Sequence, residues 1–90
     1  MKLIRKRDGK VFIIQADHLL SGYRERVFLA SKIAEVIGRG AEGPHFLHWR
    51  YNPHRDVWTN GGGILPVESE GVESSENIEE LGFDFIDDTL

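Results

Sequence analysis

The tetrapeptide Arg7-Asp8-Gly9-Lys10 stands between two strand-forming runs, and it constrains the fold more than any other local feature. Before it, Lys2-Leu3-Ile4-Arg5-Lys6 alternates weakly. After it, Val11-Phe12-Ile13-Ile14 is an uninterrupted run of four apolar residues. Asp-Gly between two such runs predicts a tight hairpin in which both central residues take positive φ. An uninterrupted apolar run predicts that the second strand, Lys10 to Ala16, is central and covered on both faces.

From about Ser21 the period changes. Tyr23, Val27, Ala30, Ile33, Ala34 and Ile37 recur at three- and four-residue spacing, the signature of one helix face. Asp17 or Ser21 is the expected cap, and Gly38 suits the left-handed residue past the end. Gly40, Gly43 and Pro44 then prevent continuation. His45 to Tyr51 alternates again, with Leu47, Trp49 and Tyr51 on one face and Phe46, His48 and Arg50 on the other. Asn52 to Asp56 reads as a turn, Val57-Trp58-Thr59 as the returning strand, and Ile64, Leu65 and Val67 as a short edge strand closed by Pro66. The expected class is α+β: a β-β-α-β-β antiparallel sheet packed on one helix, with an acidic C-terminal tail that includes a short helix from Ser74-Ser75-Glu76. Leu3, Ile4, Phe12, Ile14, Val27, Ala30, Ile33, Ile37, Leu47, Trp49 and Trp58 form the expected core. A core this small leaves a stability of a few kcal/mol.

Charge divides the chain more sharply than hydropathy does. All 11 Lys and Arg residues precede residue 56, where six acids leave residues 1–63 at +5. Residues 64–90 carry nine acids and no base, so the net charge of −4 is the remainder of two large opposite charges. Asn60-Gly61-Gly62-Gly63 marks the break, and Glu68 to Glu80 is too rich in Glu, Ser and Gly to bury much apolar surface. This predicts a basic body, residues 1–67, and a flexible or docking tail, residues 68–90.

The length of 90 residues excludes a two-domain cofactor enzyme, and the absence of cysteine excludes disulfides, thiolate zinc sites and redox pairs. No run approaches the roughly eighteen apolar residues of a membrane span, and no apolar signal core follows Met1. The expectation is a cytoplasmic protein with no membrane partner. The glycine runs are connectors, because no Gly-Lys-Ser/Thr follows them, and no serine sits in a nucleophile elbow. No cofactor and no catalytic constellation are expected.

The densest functional segment is His45 to Arg55, which interleaves imidazoles, guanidinium groups and aromatic rings. Arginine forks match phosphate, and exposed rings stack on unpaired bases. Together with the N-terminal cations, this predicts a nucleic-acid interface of Lys2, Arg5, Lys6, Arg7, Lys10, His48, Arg50, Tyr51, His54 and Arg55. The acidic tail would compete at that surface or dock a partner through Ile78, Leu81, Phe83, Phe85 and Ile86, since apolar groups set among acids typify segments that order on binding. The leading expectation is therefore a non-catalytic binding or regulatory protein whose partner is nucleic acid. The alternative is a regulator or inhibitor of the phage, plasmid or toxin-antitoxin type, directed at an acidic or basic protein surface through the Phe-containing tail. A second alternative is a metal-dependent hydrolase built on His45, His48, His54 and Asp56, although their spacing repeats no known ligand pattern.

Overall fold

Alternation at residues 2–6 and the run that follows do produce paired strands, but the turn between them is wider than Asp-Gly implies. In the computed structural model, which describes residues 1–17, 21–41, 46–61, 63–67 and 75–88, β1 (Lys2–Arg5) runs antiparallel to β2 (Val11–Asp17). Gly9 alone takes a left-handed conformation there, at φ 73°. Its N–H donates to the Arg5 carbonyl at 2.7 Å, and Arg5 N–H donates to Lys10 O at 2.9 Å. A longer loop with one glycine thus replaces the two-residue turn.

The helical stripe forms α1 (Tyr23–Gly38). The N-cap position falls on Gly22 and not on Asp17 or Ser21. The Glu25 carboxylate accepts the Gly22 N–H at 2.8 Å, while also lying near the positive end of the helix dipole. At the other end the left-handed residue is Gly40 (φ 102°), not Gly38. Gly40 N–H donates to Ile37 O at 3.0 Å and Ala41 N–H to Val36 O at 3.3 Å, the paired bonds of a Schellman closure. Gly38 is simply the last helical residue.

α1 is a crossover, and this overturns the antiparallel expectation. β2 pairs parallel with β3 (Phe46–Asn52), register Gln15 to His48, because an intervening helix returns the chain to the end from which it left. β4 (Val57–Asn60) and β5 (Gly63–Pro66) continue antiparallel. The acidic segment then forms α2 (Ser75–Glu80) and β6 (Phe83–Ile86), which pairs with the free edge of β1. The result is a six-stranded mixed sheet, order β5-β4-β3-β2-β1-β6.

The core lies between α1, α2 and one sheet face. Leu3, Phe12, Ile14, Val27, Ala30, Ile33, Ile37, Trp49 and Trp58 are buried as expected, joined by Met1, Phe28, Leu29, Ile78 and Phe83. Ile4 is half-buried on the opposite face, and the Leu47 side chain lies outside the described set. The expectation that β2 is covered on both faces fails: Val11 and Ile13 are 42% and 46% exposed, since both helices lie on the other side. Phe83 meets Phe12 edge-on, ring centroids 6.2 Å apart. No helix of the described residues is long and apolar enough to cross a membrane.

These placements predict opposite signs for two nearby glycines. Gly38→Ala should raise stability by up to about 1 kcal/mol, because a Cβ meets nothing within 4 Å and alanine is the better helix former. Gly40→Ala should lower it by about 1 kcal/mol through left-handed strain. Thermal unfolding followed by circular dichroism checks both; a midpoint that rises in both variants contradicts the assignment of the closure.

Candidate functional site

The β3–β4 hairpin is built by alternation and by one acid. Inward, Tyr51 packs on Trp58 at 5.2 Å between ring centroids, and the indole N–H of Trp58 donates to the Glu25 carbonyl at 2.9 Å, fixing the hairpin to α1. Outward on the same strand, His48 and Arg50 are exposed. They border a shallow depression of 270 Å³ whose other wall is Thr59, Asn60 and Gly61. Asn52 shapes the turn: its Oδ1 accepts the backbone N–H of His54 at 3.0 Å and of Arg55 at 3.3 Å. His54 and Arg55 stand exposed at the tip.

Asp56 is the only acid between residues 46 and 60, and its half-exposed carboxylate is engaged by two neighbours. It occupies the left-handed region at φ 51°, which aspartate tolerates in turns. Oδ1 accepts the Tyr51 hydroxyl at 2.6 Å and Oδ2 accepts Arg24 Nη2 at 3.0 Å, while its carbonyl accepts the Val67 N–H at 2.8 Å. The Tyr51 hydrogen bond, then Arg24, holds the Asp56 carboxyl below the usual carboxylate range. Burial, reinforced by that same hydrogen bond, pushes the Tyr51 phenol up to about 12. The hairpin therefore presents its cations and imidazoles outward while its one carboxylate is occupied by the Tyr51 hydroxyl and Arg24.

The expected ten-residue cationic surface is divided by the fold. Arg5 is only 8% exposed: its guanidinium grips Asp8 through Nε at 3.0 Å and Nη2 at 2.7 Å and lies 5.4 Å from the Phe12 ring centre. That grip, with the Lys10 N–H, holds the Asp8 carboxyl well below the carboxylate range. Tyr51 faces the core. Lys2 and Lys6 stand 3.8 Å from Asp88 and Asp84 of the acidic segment. Lys10 lies 5.4 Å from the Phe12 ring centre, and Arg7 is exposed on the turn. His48, Arg50, His54 and Arg55 share the β3–β4 hairpin and are all exposed, whereas Lys6 and Arg7 are exposed on the β1–β2 turn.

The apolar residues of the acidic segment are divided too. Ile78 and Phe83 are interior, and Phe85 is half-buried against the core. Leu81 and Ile86 are exposed, but Leu81 lies on the α2–β6 turn and Ile86 on β6. Arg26 binds Asp87 at 3.1–3.2 Å with both side chains mostly shielded, tying the end of β6 to the start of α1. Of the metal expectation, His45 lies outside the described residues and Asp56 is committed to Tyr51 and Arg24. Among the described residues no three His, Asp or Glu side chains gather around one point.

Sequence reasoning missed Thr59 and Asn60 and misjudged Asp56, whose solitude among cations was the available signal. Comparison with protein-family models, curated proteins and solved structures finds no match.

The Asp56 hub predicts a defined response to pH. Native Tyr51 holds its proton more tightly than the unfolded chain does, so its contribution is complete below about pH 10 and is lost as pH rises toward about 12. Asp56 acts in the opposite sense: its contribution is present above the ordinary carboxylate pKa and is lost as pH falls through its depressed native value. In a Tyr23→Phe background Tyr51 is the sole tyrosine, and its phenolate absorbance should develop near pH 12. A midpoint near 10 contradicts the hydrogen-bonded hub.

Proposed function

We propose that the chain is a non-catalytic binding domain that takes nucleic-acid phosphates on the outer side of the β3–β4 hairpin. The observation that carries this reading is the hairpin's charge distribution: His48, Arg50, His54 and Arg55 are exposed, while the Asp56 carboxylate is taken up by the Tyr51 hydroxyl and Arg24. Arginine donates two parallel hydrogen bonds to one phosphate, and Asn60 beside the depression carries a neutral amide donor. The acidic C-terminal strand acts as a competitor at the N-terminal cations, with Asp84 and Asp88 already beside Lys6 and Lys2. The hairpin is thereby the main anion-facing surface.

A second reading has its own support. Val11, Ile13 and Ile86 are exposed on the uncovered sheet face, with Ile13 and Ile86 both opposite Lys2 in register. Aliphatic rather than aromatic residues here suit a protein surface better than bases. On this reading the partner is a protein, and Ile13→Glu abolishes its binding.

Fluorescence anisotropy with a labelled single-stranded oligonucleotide tests the first reading. Affinity should fall as salt rises, and neutralising both Arg50 and Arg55 to Gln should weaken binding several-fold. It should also reduce the salt slope by about 1.4, at roughly 0.7 per phosphate contact on single strands. Arg39→Gln, at the end of α1, should change little. Binding that is absent, independent of salt, or equally sensitive to Arg39→Gln overturns the assignment.

A further inference from the structure

At the opposite end of the domain from the β3–β4 turn's role in charge display, the β1–β2 turn, the end of α1 and the α2–β6 turn enclose a cleft of 540 Å³. Its existence follows from local chemistry. Gly40 (φ 102°) closes α1 and Gly82 (φ 94°) turns α2 into β6, and both positions demand glycine. Gly38 completes the wall, and a Cβ added at any of the three meets nothing within 4 Å. Three neighbouring backbone segments without side chains leave a space that the core does not fill. Its volume is within the range of small-molecule sites, about 300–1,000 Å³.

The lining is apolar below and cationic at the rim. Ile37 and Phe83 are almost wholly buried and form the base, whereas Leu81 in the same lining is 42% exposed. Lys6 and Arg7 stand at the rim and are exposed. No described lining residue carries a carboxylate. Lys6 is 3.8 Å from Asp84, a long pair between two half-exposed side chains, and such pairs are worth little and are easily redirected. Arg5 also borders the cleft, but its guanidinium is held by Asp8 and serves as structure.

We propose that this cleft binds a small amphipathic organic anion: an apolar body on Leu81, Ile37 and Phe83, with one phosphate, sulfonate or carboxylate group facing Arg7 and Lys6. Neither half suffices alone. A bare anion meets two solvated cations with no enclosure, and a neutral apolar body leaves the rim unused. The site is separate from the hairpin surface, so it stands whether or not the hairpin takes nucleic acid.

Titration of ¹⁵N-labelled full-length protein with 1-naphthyl phosphate, 1-naphthol and inorganic phosphate tests the proposal. Naphthyl phosphate should shift the amides of Gly38, Gly40 and Gly82 saturably, and at those glycines should bind at least about tenfold more tightly than either half-molecule. Gly38→Leu, which fills open space from a helical position, should abolish those shifts in a folded protein, and Arg7→Glu should weaken them severalfold. Inorganic phosphate binding as well as naphthyl phosphate would reduce the site to surface cations and overturn the proposal. So would an absence of saturable glycine shifts, or shifts that persist in folded Gly38→Leu.

Discussion

The rest of the structure depends on β1 having a partner on each side. It lies between β2 and β6, its Leu3 at 0% exposure, and it has no free edge. A strand inside the sheet needs a partner on each side, and here the second partner comes from the acidic C-terminal segment. Pairing Lys2 with Ile86 and Arg5 with Phe83 brings Asp84 and Asp88 to Lys6 and Lys2, and Asp87 to Arg26. The surface pairs add little by themselves, since exposed ion pairs are largely offset by solvation and side-chain entropy. Burial of Ile78 and Phe83 does more, at about 1.5–3 kcal/mol for each large apolar side chain removed from water. Hydrophobic contact holds the acidic segment in place, and charge selects what it covers.

The parallel pairing of β2 with β3 has the next largest consequence. It requires the α1 crossover, which with α2 covers one sheet face and leaves the other open. The open face explains the exposed Val11 and Ile13, and it also leaves His48 and Arg50 outward on β3. The inward residues of that same strand, Trp49 and Tyr51, bring the hairpin against α1. Asp56 then connects three elements at once: Tyr51 of β3, Arg24 of α1 and, through its carbonyl, Val67 after β5. Local fold and surface charge are thus set by the same residue.

Periodicity made much of this legible. Alternation in β3 correctly separated Trp49 and Tyr51 from His48 and Arg50, and the three- and four-residue spacing located α1 to within two residues. Pro66 correctly marked a short edge strand. Three features were not legible, each for a physical reason. Strand direction depends on where a crossover returns, which no local pattern encodes, so the sheet read as antiparallel. Composition judged residues 75–88 by their acids, whereas Ile78 and Phe83 determine where they pack. Arg5 looked like its basic neighbours, but Asp8 three residues on and Phe12 across the hairpin take it out of solvent. The site was legible in part: the outward cations of the hairpin follow from alternation, but the cleft between Gly38, Gly40 and Gly82 is made by residues far apart in sequence.

Amide hydrogen exchange across β6 tests the central claim most directly, because it asks whether the acidic strand belongs to the cooperative fold. The protected amides of residues 83–86 and the Lys6 amide that donates to Gly82 O should exchange with the same opening free energy as those of β2. Fast exchange of residues 83–86 while β2 and β3 remain protected would contradict the account.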